Sequence, residues 1–303
     1  VAVGRVVGPR ALDIVQQSFH SASGKALAKG FDKLGWHWWS SDSAISSVTY
    51  DGREPDAVGH LRSSAGADLN YWPKAVNQGT RLITYARVRE VLVDQSGKAT
   101  GALYYDREGN LQEQRAKVVV MAANGIGTTR LLLNSKSVLF PNGLANSSGL
   151  VGKNLMHHPT GVILGIFDEW LGTDEGARGS SMLSQEFYET DLNRDFIRGY
   201  EMQILSQGSA PLTAALGGSQ GERVSWGAGH HREFQERFGH IAGIIIMTED
   251  LPEEHNRVTL DPEMTDSNGI PAAKIQYTIS ENTDKMLGHG VERAKEVMDA
   301  AGA

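Results

Sequence analysis

The sequence predicts an α/β domain followed by a second domain of mixed strands and polar loops, and three observations point there. A strand-rich run from Arg81 ends in four contiguous apolar residues, Val118 to Met121. A glycine turn, "AANGIGTT", follows and passes directly into the helix start "RLLLNS". Beyond about residue 162 the texture changes. Contiguous rather than alternating apolar residues predict a strand covered on both faces, as in a parallel sheet. The boundary falls in "SSGLVGKNLMHHPTG" (147–161), giving domains 1–161 and 162–303.

Each element follows from local pattern. Leu12, Val15, Phe19, Leu27, Phe31 and Leu34 recur at helical spacing, and Gly35 interrupts them. "GWHWWSSDSAISSVTYDGREPDAVG" reads as loop because Ser, Asp, Gly and Pro punctuate it without period. Its tryptophans, Trp36, Trp38 and Trp39, read as core or subunit-contact residues rather than a ligand platform. "RLITYARVREVLVD", "TGALYYD" and "LQEQRAKVVVMAA" form a predicted meander whose turns are "QSGKA" and "REGN". Residues 257–279 read as two strands around a turn-rich connection. "SENTDKMLGHGVERAKEVMDAAG" reads as a helix capped by Ser280, with Thr283 where a full capping box would carry Glu.

Composition removes several function classes. A chain of 303 residues with 29 basic and 36 acidic side chains carries a formal charge of −7, which opposes attachment to nucleic acid or an anionic membrane. With no cysteine, disulfides, Cys-ligated zinc, iron–sulfur clusters and a thiol nucleophile are excluded, while the compartment stays open. The longest apolar runs, such as "HIAGIIIM" (240–247), are far shorter than the ~20 residues that span a bilayer. The start "VAVGRVVGPRALD" has neither an initiator Met nor a signal-peptide layout, and reads as the interior of a longer protein.

The chemistry centres on "KVVVMAANGIGTTRLLLNS" (117–135). A strand that turns on glycine into a helix aims free backbone N–H groups at whatever lies beyond the sheet edge, a place suited to phosphate. Gly125 and Gly127 are followed by Arg130 where a full dinucleotide fingerprint has its third glycine. Cofactor contact and a purely structural strand-to-helix turn are both open on this motif alone.

Taken with "NSSGLVGKNLMHHP", the run resembles the glucose–methanol–choline (GMC) family of flavin oxidoreductases, with Thr129 in place of the usual Pro and Asn124 where a small residue is commoner. The resemblance extends through "YWPKAVNQGTRLITYARVREVLVDQSGKATG" and "EDLPEEHNRVTLDPEMTDSNGIPAAKIQYT", and covers most of residues 70–300. Its details are similar to the branch of gluconate, sugar and polyol dehydrogenases, although residues 51–70 lack the cysteines common there.

The resemblance implies a partial α/β FAD-binding domain, with parallel sheet and β-meander, and an α+β substrate domain built on an antiparallel sheet. It implies FAD as cofactor and a small alcohol, sugar or polyol as substrate, oxidised at a CH–OH group with hydride passing to flavin. Val88 is implied to meet adenine through its backbone, Ala122, Ala123 and Asn124 to line the cofactor, and Thr128 to begin the adjoining helix. His158 falls near the domain junction, as a packing or a substrate-contact residue. The pyrophosphate cradle and the catalytic His are implied to lie outside these residues, the latter beyond residue 303, so the isolated chain is expected to be inactive. Oxygen, a quinone or an electron-acceptor subunit all fit as oxidant.

Other signals are weaker. "GGSQG" matches a nucleophile elbow at Ser219, with Asp261 and His289 following in serine-hydrolase order, but its flanks lack the required strand and helix. A non-catalytic binding module is the other alternative. "HHREFQERFGH" (230–240) lacks zinc-protease spacing and reads as a solvated helix. His289 reads as a residue of the last helix, and Arg257 as the start of a strand.

Overall fold

Apolar residues at every second position build the larger sheet. The computed structural model describes residues 22–41, 67–173, 180–205, 213, 215 and 223–303. In strand β7 (Tyr200–Leu205) the residues Tyr200, Met202 and Ile204 are buried and their neighbours are not, and in β8 (Ile241–Thr248) Ala242, Ile244, Ile246 and Thr248 repeat the pattern, with Gly243 buried as well. Period-two burial of this kind puts one face of each strand on a core. With β1 (Trp39–Ser40), β5 (Thr160–Ile166) and β6 (Ser180–Ser184) they form a five-stranded sheet in the order β1-β6-β7-β8-β5, antiparallel at every pair.

Helices α1 (Ala22–Leu34) and α6 (Glu281–Ala301) pack together, and α6 lies on β5, β7 and β8. Glycine permits both approaches. A Cβ on Gly30 would meet the Val297 carbonyl oxygen at 2.5 Å, and one on Gly290 would meet Cγ2 of Ile246 at 2.5 Å. Leu27, Phe31, Met286 and Val297 are fully buried in the resulting core. Trp36 packs against it and meets Phe187 edge-on, Trp38 donates from Nε1 to Asp32, and Trp39 is exposed. Helices α2 (Ala67–Asn70), α3 (Trp72–Asn77) and α5 (His230–Arg237) complete the described helices of this unit.

The second unit joins a meander, β2 (Arg87–Val93), β3 (Ala99–Tyr105) and β4 (Leu111–Arg115), to helix α4 (Asn124–Asn134) and a hairpin, β9 (Arg257–Thr265) and β10 (Pro271–Gln276). Three of its turns are chemically alike: "DQSGK" (94–98), "DREGN" (106–110) and "DSNGI" (266–270). In each, the Asp side chain accepts the backbone N–H groups two and four residues on, and the glycine has φ of 83°, 82° and 74° in turn. Aspartate supplies the local acceptor and glycine the left-handed backbone that a tight hairpin needs.

The units are interleaved in sequence. One comprises Val1–Asn77, His158–Glu249 and Glu281–Ala303; the other comprises Gln78–His157 and Asp250–Ser280. The chain thus leaves the meander unit four residues before the expected cut at 161 and returns for the β9–β10 hairpin, which packs on α4. The predicted meander, hairpin and final helix are present, as is the antiparallel sheet.

The parallel strand is not. Among the described residues every strand pair is antiparallel, and residues 117–121 form no strand. Val118 is 74% and Val120 83% exposed. Apolar content alone does not make a strand, because the backbone needs a neighbour to share its hydrogen bonds. No described segment pairs with this one.

Two expectations follow. Gly290→Ala should destabilise the first unit by about 1–3 kcal/mol through overpacking, whereas Gly288→Ala, with open space around its Cβ, should stabilise α6 by up to about 1 kcal/mol; thermal melts of the two variants check the contrast. The Ser96 hydroxyl and the Lys98 N–H hold the Asp94 carboxyl below its ordinary range; at Asp106 desolvation opposes, and the Asn110, Gln112 and Glu108 donors outweigh it. Carboxyls lowered by folding contribute stability that is whole above about pH 4 and is lost as pH falls through their lowered values. Amide protection factors at 94–98 and 106–110 should therefore fall on acidification below that point.

Candidate functional site

Helix α4 begins in an unusual backbone state. Asn124 has φ of +58°, a left-handed conformation that Asn tolerates better than other non-glycine residues, and its Oδ1 accepts the Gly127 N–H at 2.9 Å. It therefore acts as the helix cap. One residue earlier the Ala123 N–H donates to Thr128 Oγ1 at 3.2 Å, so Thr128 lies within the helix and folds its hydroxyl back onto the turn. The remaining first-turn amides lie outside the intrahelical ladder.

At the other end of α4 the buried Ser135 hydroxyl donates to the Leu131 carbonyl at 2.7 Å and accepts the Val91 N–H at 2.9 Å. This fixes the helix against β2. Arg130 fixes it against the hairpin: its Nε donates to the Pro271 carbonyl at 2.6 Å, and one terminal nitrogen donates to the Ile270 carbonyl at 2.9 Å and the Asp266 carboxylate at 3.0 Å. Burial pushes the Asp266 carboxyl up, but Arg130 and the Asn268 and Ile270 amides more than offset this and hold it below the usual range.

These ties enclose a cleft of about 760 Å³ within the second unit. Its walls are the start of β2, the 106–109 turn, α4 and the 267–270 turn. Val88 and Ala123, predicted from distant parts of the sequence, both line it, as does Gly127. Asn124 borders an adjoining hollow of about 430 Å³. Ala122 is exposed and lines neither, and Thr128 serves the turn instead.

The cleft is also cationic on a chain of negative net charge. Four arginines, Arg87, Arg89, Arg107 and Arg130, line it against Asp106 and Glu108. Arg130 is paired with Asp266, Asp106 is occupied by its own turn, and Arg107 lies 4.0 Å above the Tyr85 ring. In the sequence only Arg87 and Arg89 stand together, in "YARVRE"; Arg107 and Arg130 come from separate segments and carry no local signal.

His158 belongs to the other unit. Its ring is exposed, and Nδ1 donates to the Thr248 carbonyl at 3.1 Å, so the neutral ring keeps its lone pair on Nε2. Ser219 lies outside the described residues. Its two proposed partners are engaged elsewhere: the Asp261 carboxylate accepts the Glu263 and Met264 amides, and His289 Nδ1 shares a hydrogen bond with the Tyr200 hydroxyl at 2.8 Å. Burial, with Arg293 and Arg194 nearby, lowers the His289 pKa, while burial raises that of Tyr200, so the ring is neutral and the phenol keeps its proton. In 230–240, a helix forms over His230–Arg237, and His230 and His240 each donate to a backbone carbonyl, of Ser225 and Phe167.

The cap gives a testable contrast. Asn124→Ala should cost about 1–2 kcal/mol through loss of the cap and left-handed strain, and Asn124→Gly only a few tenths. Chemical denaturation followed by a probe in the second unit measures the difference.

The GMC oxidoreductase family profile matches residues 10–160. The chain is 42% identical to 2-methyl-1,2-propanediol dehydrogenase of Mycolicibacterium austroafricanum, over 92% of this chain and 52% of that protein. It is 30% identical to the fructose dehydrogenase large subunit of Gluconobacter japonicus, over 89% of this chain and 50% of that one. It therefore spans about half the length of the curated relatives it matches. Among solved structures, a formate oxidase of Aspergillus oryzae RIB40, described for its FAD modification, superposes with a TM-score of 0.56 at 14% identity, covering 91% of this chain and 52% of that chain. The chain belongs to the GMC oxidoreductase family.

Proposed function

We propose that this chain forms part of an FAD-dependent oxidoreductase that oxidises a CH–OH group of a polyol, sugar or related alcohol. The observation that carries the reading is the cleft, which brings Val88 and Ala123 to shared walls among four arginines. An anionic dinucleotide fits that chemistry. The arginines supply charge, the first turn of α4 supplies unpaired amides, and the start of β2 supplies backbone at Val88. The unit of residues 78–157 and 250–280, which carries the cleft, is then the cofactor part in place of a continuous 1–161, and the segment that begins at His158 belongs to the substrate part.

Bound flavin supplies the hydride acceptor for alcohol oxidation. The chain's own contribution in this reading is to hold and orient the cofactor: Asn124 and Thr128 fix the turn that presents Ala123, and Arg130 and Ser135 fix the helix behind it. No catalytic base is assigned to a residue of this chain. The names of the relatives favour a small diol or sugar as substrate and leave room for an electron-acceptor subunit.

The test uses the full gene product that carries these residues, reconstituted with FAD. Bound flavin absorbance should bleach anaerobically on addition of 2-methyl-1,2-propanediol, fructose or a related alcohol. Failure to retain flavin after reconstitution would remove the reading and favour a binding module.

A further inference from the structure

Arg130, in the second turn of α4, makes three hydrogen bonds to the opposite wall of the cleft. Arg130 and Gly127 line both the 760 Å³ cleft and the adjoining 430 Å³ hollow, so the guanidinium forms part of the partition between them. Its side chain is 19% exposed and that of Asp266 20%. Two of its acceptors are backbone carbonyls, of Ile270 and Pro271, at the far end of the turn that Asp266 organises.

Little else can set this spacing. The fully enclosed apolar residues described in the second unit are Val91, Val258 and Ile270, and none belongs to α4. An apolar core would resist sliding of α4 along the hairpin; here a planar donor fork, aimed at two carbonyls and a carboxylate, does so.

We infer that Arg130 is a positioning residue for the cofactor cleft: it sets the distance between the first turn of α4 and the 266–270 turn, and through them the fit of the cleft to its ligand. The inference rests on the flavin reading for its functional consequence and on the tie itself for its structural one. Lysine at this place supplies charge without the planar fork and cannot reach all three acceptors in the same geometry.

Two measurements on the full gene product separate these layers. Without flavin, Arg130→Ala should raise amide exchange at 127–134 and 268–270 at least tenfold, leaving β7 and β8 protected as before; Asp266→Asn should do so to a smaller degree, and unchanged exchange in both would overturn the inference. With flavin, Arg130→Ala and Arg130→Lys should weaken FAD retention at least tenfold and shift the visible spectrum of what remains bound, with Lys intermediate. Wild-type retention of FAD with unaltered affinity and spectrum in Arg130→Ala would also overturn it. If the wild-type protein binds no flavin, the proposed function fails, and the exchange result alone decides whether Arg130 sets the cleft.

Discussion

The unit that carries the cleft is held by polar ties because it has almost no apolar core of its own. Val91, Val258 and Ile270 are its enclosed apolar residues among those described, against eighteen in the core cluster of the other unit. Hydrophobic burial stabilises in proportion to area but does not direct geometry. Hydrogen bonds do the reverse: each contributes only about 1 kcal/mol net, yet fixes distance and angle. A cleft whose walls come from a meander, a helix and a hairpin therefore takes its shape from Ser135, Arg130 and the aspartate turns at 106–110 and 266–270.

Asn256 shows the same economy. It is fully buried, donates to the Thr278 carbonyl at 3.1 Å and accepts the Thr278 N–H at 2.8 Å, while its own carbonyl accepts the Leu155 N–H at 2.8 Å. One amide thus joins the strand entering β9, the segment leaving β10 and the stretch after α4. Gly152 completes this contact, since it accepts the Val258 N–H at 2.7 Å with φ of +90° and has no room for a side chain against the Val258 carbonyl. The "GLVGKNLMHHP" signature is legible here as packing: its glycine exists for β9, and its Leu155 for Asn256.

The two units differ in what their sequence says. In the first, period-two burial on β7 and β8 and helical spacing on α6 record a core that the chain supplies to itself, so pattern and structure agree. In the second, the apolar run at 117–121 records partners that no described segment provides, and Val118 and Val120 stand in solvent.

By itself, the sequence determined the local elements: the meander and hairpin through Asp-x-x-Gly turns, the final helix through its spacing, and the glycine corner at 124–128 together with its family. These are legible because they depend on neighbours a few residues away. It also marked Val88 and Ala123, through resemblance, as residues of one site. Only the tertiary structure decided that they share a cleft, that Arg130 ties α4 to the 266–271 segment, that Ala122 lies outside the cleft, and that the hairpin at 257–276 belongs with α4 rather than with its sequence neighbours. Those outcomes depend on hydrogen bonds between residues more than a hundred positions apart, as Arg130 and Asp266 are, and such pairs leave no periodicity in a single chain.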